Sequence, residues 1–260
     1  MKVTILGCGT SSGVPRIGED GSDGDWGACD PAEPRNRRRR VSILVESGDT
    51  RILVDTTPDL RMQLLDAGIG WLSAVIWTHD HADHVHGLDD LRPLFHRMGR
   101  PVSGYARPET AAVLHRRFGY VFAGEPGYPA IATLGNLDDD MMIGDIRLRA
   151  VDQPHGAITS AGLRFDSRGK SIVYATDFNR MTDEMHNLYE QCDLWIVDAL
   201  RRAPHPTHAH LDDVLRWIGQ VRPGRALLTH MDNSMDYRTL CAELPEGVMP
   251  AHDGQQLVIA

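Results

Sequence analysis

Lysine is almost absent. The 260 residues hold only Lys2 and Lys170 beside 25 arginines, and the formal charge is −9. So acidic a chain has no bulk basic face with which to displace counterions from long nucleic acid, so any anionic substrate must meet a local basic pocket. Cysteine is also sparse. Cys8, Cys29, Cys192 and Cys241 are scattered without a CxxC pair, which excludes an obvious disulfide framework or thiolate-rich metal site. No apolar run nears the ~20 residues of a membrane span. The opening MKVTILGCGTSSG breaks at glycine too early for a secretory h-region. These absences predict a cytoplasmic protein without membrane contact. No Pro/Ser-rich linker or low-complexity tract divides the sequence, which reads as one α/β domain over residues 1–260. Histidine, by contrast, occurs 13 times, and its placement carries the argument.

Short β-rich runs alternate with a few amphipathic helices. Residues 2–6, 41–46, 51–54, 74–77, 146–151, 162–165, 171–174, 194–197 and 225–228 read as strands, with a hairpin at Gly48-Asp49. Helices are predicted from near Pro58, with Leu60, Leu64 and Leu65 as an apolar face, and over 109–117, 182–189 and 211–221. The stretch 119–137 reads as a surface loop. RILVDTTPDLR (51–61) is echoed by SIVYATDFNR (171–180), and AVIWTHDHAD (74–83) by ALLTHMDNS (226–234). Two such halves stacked face to face would make a β-sandwich covered by helices on both sides.

The central motif is His79-Asp80-His81-Ala82-Asp83-His84, directly after a buried-type strand. Residues two apart in an extended segment point the same way, so His79 and His81 can grip one cation from one side. Asp83 and His84, where the chain turns into a helix, can reach a second. Imidazole with carboxylate suits Zn, Mn or Fe. Further ligand candidates stand at other strand ends: His155 in VDQPHGAITSAG, Asp177 in IVYATDFN and His230 in ALLTHMDN.

In these residues the chain resembles the metallo-β-lactamase superfamily. The resemblance implies an αββα sandwich with a dinuclear site on its upper edge. It implies His79, His81 and His155 as ligands of one metal, Asp83, His84 and His230 as ligands of the other, and Asp177 as the bridge. Two divalent metals ~3.5–4 Å apart would hold a hydroxide whose pKa has fallen toward ~7, which makes the protein a hydrolase. Asp83 is counted both as a ligand and, with His208, as a candidate catalytic group.

The loop GCGTSSGVPRIG (7–18), with DWGACDPAEPRNRRRR (25–40) and PHPTHAHLDDVLRW (205–217), resembles the phosphodiesterase branch, in particular the phosphoribosyl cyclic phosphate phosphodiesterases, and is shared in part with tRNase Z. By the glycines alone, the first of these is either an anion-binding junction of backbone amides or a plain tight turn. The branch implies a small cyclic or nucleotide-like phosphodiester as substrate. A tRNase Z-like ribonuclease, a lactonase or thioesterase, and a non-catalytic PqqB-like carrier are the alternatives, and a homodimer is left open. His208 aligns with a histidine that assists the scissile oxygen. Relatives with a structural zinc carry several cysteines near the CDP segment. Here only Cys29 remains and Asn233 follows His230, so loop 18–30 must be held otherwise, with Trp26 packed inward.

The remaining candidates have plainer readings. His205 and His210 read as structural, and His86 as a residue at the edge of the motif. Asp89 and Asp90 are expected to orient metal ligands or to cap a turn. Of Arg35, Arg37, Arg38, Arg39 and Arg40, alternation sends about half away from any one site.

Overall fold

The computed structural model describes residues 1–259. Two seven-stranded sheets stack face to face. The first contains β1 (Lys2–Gly7), β2 (Ser42–Ser47), β3 (Thr50–Val54), β4 (Ala74–Trp77), β5 (Val102–Ala106) and β6 (Ala132–Asn136). The second contains β7 (Asp140–Ile143), β8 (Ile146–His155), β9 (Ile158–Ser167), β10 (Lys170–Ala175), β11 (Leu194–Asp198), β12 (Arg225–Thr229) and β13 (Val248–Pro250). The last strand, β14 (Gln256–Val258), returns to the first sheet beside β1. Period-two alternation sorts side chains between the layers. Ile43, Val45, Ile52, Val54 and Ile76 face the second sheet in one core. Leu44, Leu53, Val75 and Trp77 face outward into another.

Helices cover both outer faces. They are α1 (Leu60–Ala67), α2 (Ala82–Val85), α3 (Arg92–Met98), α4 (Pro108–Ala123), α5 (Asp183–Tyr189), α6 (Leu211–Val221) and α7 (Tyr237–Glu243). Leu60, Leu64, Leu94 and Leu114 close the first sheet's outer core. Met185, Tyr189, Val214 and Trp217 of α5 and α6 join the core of the second sheet. Among the described residues no helix is long and apolar enough to cross a membrane.

The order is β14-β1-β2-β3-β4-β5-β6 in one sheet and β7-β8-β9-β10-β11-β12-β13 in the other. Three antiparallel contacts are followed by three parallel ones in each. The echo of β3 in β10 is therefore a true positional match. The echo of β4 in β12 is not, because β4 corresponds by position to β11. The similar Thr-His endings of β4 and β12 come from their arrival at the same rim.

Three expectations need correction. Residues 119–137 are not one loop: α4 runs on to Ala123 and Ala132–Asn136 pairs with β5, which leaves only 124–131 as a surface connection. The first helix starts at Leu60, with Pro58 outside it. Leu65 is 59% exposed, because it lies about 100° around the helix from Leu64, off the face that Leu60, Gln63 and Leu64 bury.

Candidate metal centre

Parallel strands end at a common rim, where open α/β sheets bind their ligands. His79 lies two residues past β4, and His81, Asp83 and His84 span the turn into α2. His155 closes β8, Asp177 lies just past β10, and His230 directly follows β12. Ligand atoms of His79, His81, His155 and Asp177 all lie within 4.8 Å of one another, as do those of Asp83, His84 and His230. The structure thus gathers all seven expected ligands. Asp177 stands between the groups: Oδ1 is 3.8 Å from both His79 Nε2 and His155 Nε2 and 3.6 Å from His230 Nε2, while Oδ2 is 3.2 Å from His84 Nε2.

Outer partners fix which nitrogen of His79, His84 and His155 faces inward. His84 Nδ1–H donates to Asp55 Oδ2 at 2.7 Å. His79 Nδ1–H donates to Thr78 Oγ1 at 3.1 Å, and that hydroxyl donates in turn to Asp55. His155 Nδ1–H donates to the Thr207 carbonyl at 2.9 Å. Each of these rings thereby turns its Nε2 inward. The Nε2 atoms of His79, His84 and His230 are buried without a hydrogen-bond partner. Buried nitrogens left so are costly unless something accepts their lone pairs. A divalent cation does so, and this nitrogen–oxygen donor set without thiolate fits Zn, Mn or Fe.

Charge in the metal-free cluster is arranged to the same end. Burial works against ionised Asp177, but the neighbouring His230 and His84 hold its carboxyl well below the usual range. Burial likewise opposes charge on Asp83, and His84 and His230 outweigh it. Burial would neutralise His84, yet Asp177, Asp83 and Asp55 raise its pKa well above the ordinary value. For His230 the same contest, led among the raising groups by Asp177, ends at about 9. Burial drives His79 and His155 down. Protons on His84 and His230 hold the place of cations between the carboxylates. Asp55, Asp177 and His230 also sit in the left-handed region, at φ 64°, 57° and 57°. Such strain, of order 1–3 kcal/mol per residue, collects at functional sites.

Two residues missed in the sequence complete the centre. Asp55 is one: fully buried, it accepts from His84, from the Thr78 hydroxyl and from the Thr78 amide. The echo of RILVD in IVYATD was its signal. Asp198, at the end of β11, is the other. Its Oδ2 accepts from His208 Nδ1–H and from the Asp177 amide. No spacing pattern marks it. His208 Nδ1 also lies 3.7 Å from Asp177 Oδ1, and its ring stacks on His230 at 4.8 Å. Asp177, His208 and His230 form a third group with ligand atoms close together, but the bond to Asp198 occupies the Nδ1 that would serve there.

A family model described as the beta-lactamase superfamily domain matches residues 50–231. The chain belongs to the metallo-β-lactamase superfamily. It is 31% identical, over its whole length, to 52% of an octanoyltransferase of Porphyromonas gingivalis, so it spans about half of that relative. Over 60 residues, 22% of this chain and 20% of the relative, it is 40% identical to ribonuclease Z of Bradyrhizobium sp.. The solved structure of a diphosphatase from the PhnP family superposes with a TM-score of 0.88 at 35% identity, covering 98% of this chain and 96% of the other.

In this metallo-β-lactamase fold most amides of the glycine-rich loop are spent within the protein. The amides of Cys8, Gly9, Thr10, Gly13 and Val14 already bond to Asp253, Arg39, Met231, Thr10 and Arg38. Gly7 is needed for close approach, since a Cβ there would run into the Arg40 carbonyl. The arginine run is spent on the protein. Arg35 pairs with Glu33, Arg37 covers the Trp26 ring, Arg39 pairs with Asp66 and Arg40 with Asp59. Arg38 is buried and donates to the carbonyls of Asp232 and Met235. With Trp26 packed on Val14 and Cys29, it holds the loop that lacks a zinc site. Asp89 and Asp90 orient no ligand. Asp89 accepts from the Tyr120 hydroxyl and Asp90 lies in a short 3₁₀ turn, while Asp55 does the orienting. His86 packs on Phe118 outside the cluster. His210 pairs with Asp213, and His205 accepts from the Thr207 amide beside His208.

Proposed function

We propose that this metal-dependent hydrolase is a dinuclear phosphodiesterase for a small, cyclic or nucleotide-like phosphodiester. The observation that carries the reading is Asp177, shared between two ligand groups and tied through Asp198 to His208. His79, His81, His155 and Asp177 would hold one cation, and Asp83, His84, His230 and Asp177 the other. Zn or Mn is the expected metal, and Fe fits the same donors. Bound there, the cations supply Lewis acidity and lower the pKa of water toward ~7. The seven ligands include no proton donor for a departing alkoxide. His208 would fill that role as an imidazolium: with Nδ1–H held by Asp198, the second proton sits on Nε2 and can pass to the leaving oxygen.

The diphosphatase name of the 35%-identical neighbour supports attack at phosphorus. Net charge of −9 and a stretch 119–137 taken up mostly by helix and strand, with a short loop only at 124–131, support a small substrate over tRNA. The octanoyltransferase name belongs to a protein about twice as long. Nothing in the His/Asp cluster favours acyl transfer: Cys8, Cys29 and Cys192 are buried and burial pushes their thiols up, Cys192 to about 12.

Metal analysis joined to a panel of bis(p-nitrophenyl) phosphate, cyclic phosphates, diphosphates, lactones and precursor tRNA tests the reading. Two cations per chain and chelator-sensitive turnover of small diesters are expected. Efficient 3′ processing of precursor tRNA with weak activity on small diesters would favour the ribonuclease reading, and turnover of lactones alone would overturn both.

A further inference from the structure

Each inward-facing ring but one has a fixed support of its own. His79 has Thr78, His84 has Asp55, His155 has the Thr207 carbonyl, and His230 is buried and stacked on His208. His81 is exposed, and its one polar side-chain contact among the described residues is Nδ1 to His155 Nε2 at 3.2 Å. Its direction must come from its own backbone, extended at φ −66° and ψ 151° at the entrance to α2. The peptide that sets this direction joins Asp80 to His81, and α4 holds it. Arg117 Nη1 donates to the Asp80 carbonyl at 2.7 Å, and Nη2 lies 3.3 Å from Asp80 Oδ2. The next residue, Phe118, leaves helical geometry at φ −127° and ψ 32°, and its ring packs on His86 just past α2. So α4 touches the motif on both sides of the turn that bears the ligands.

We propose that Arg117 is a positioning residue for the metal centre, aiming His81 through the Asp80–His81 peptide as Asp55 aims His84 through its ring. A planar guanidinium suits the task because two of its N–H groups reach the carbonyl and the carboxylate of one residue at once. An ordinary exposed ion pair would contribute little. The bond to the main-chain carbonyl is what makes this one directional. The inference rests on the metal reading above but needs no particular substrate.

The test uses metal-free wild-type, Arg117→Ala and Arg117→Lys chains, titrated with Zn²⁺ against a chelator and with Co²⁺ by visible absorption. Partners behind metal ligands typically change affinity 10–100-fold. Arg117→Ala should weaken one of the two metals by about that factor, alter the Co²⁺ bands of that site and leave the other metal and the metal-free melting temperature in place. Arg117→Lys, with charge but without the two-point grip, should recover only part of the affinity. Unchanged Zn²⁺ affinity and Co²⁺ spectra in Arg117→Ala would overturn the proposal. So would equal weakening of both metals with a lower metal-free melting temperature, which would mark general damage. A wild-type chain that takes up no metal would overturn this inference and the metal reading together, whereas normal metal uptake without phosphodiester turnover would overturn only the substrate.

Discussion

Asp198 Oδ2 accepts the Nδ1–H of His208 at 3.0 Å and the backbone N–H of Asp177 at 3.1 Å. One buried carboxylate thus sets the distance between His208, the proton donor proposed above, and Asp177. Donor and centre are held as a unit, which is the preorganisation a leaving-group proton transfer requires.

His208→Ala should keep its metals yet lower turnover roughly 10²–10⁴-fold on substrates with alkoxide leaving groups. With p-nitrophenolate, which leaves unaided, the loss should be much smaller. Steady-state rates on the two substrate types, beside metal analysis, check this. Equal losses would return His208 to a binding or structural role, and loss of metal would make it a ligand.

If the centre holds two cations as proposed, removal of Asp177 takes away the carboxylate they share. Asp177→Ala should lose most of one metal and at least ~10² in turnover. Full metal occupancy with near-normal rates would contradict a two-metal centre.

Asp55 touches no substrate, so its effect should pass through His84. Asp55→Ala should weaken binding at the Asp83–His84–His230 group by about 10–100-fold, and the other group less, since Asp55 reaches His79 only through the Thr78 hydroxyl. Chelator competition resolves the two, and uniform loss would point to misfolding around Thr78 instead.

The proton on His230 gives a pH signature. Its folded pKa of about 9 lies above the usual ~6.5, so in the metal-free protein its stabilising contribution is full below ~6.5 and is lost as pH rises through about 9. A cation must displace that proton. Metal affinity should therefore climb about tenfold per pH unit for each proton released below about 9, then level off. Zn²⁺ competition titrations from neutral pH upward, in parallel with metal-free thermal melts, measure both halves. Affinity that stays flat between pH 7 and 9 would be incompatible with a protonated His230.

The His79–His84 motif was legible because a strand's two-residue period orients side chains without help from the rest of the fold. His155 and His230 are lone histidines at strand ends, and only the resemblance singled them out. Asp55 could have been read from its echo of Asp177. Asp198 could not, because its role arises from β11 lying between β10 and β12, and neighbours in a sheet are not neighbours in sequence. Strands β5, β6, β7, β13 and β14 were not legible either. They are three to five residues long, and glycine, proline or polar residues interrupt them, whereas the equally short β4 is apolar throughout. The arginine run misled in the other direction, since its partners Glu33, Asp59, Asp66 and Trp26 are visible only once the chain is folded.

The pairing of β14 with β1 joins residues 256–258 to residues 2–4. During synthesis the edge of the first sheet at β1 therefore stays open until residues 256–258 have been made. The histidine motif after β4 is made early, but His230 is made some 150 residues later. The seven-residue cluster cannot be assembled before His230 has been made, and the outer edge of β1 stays unpaired until residues 256–258 follow it.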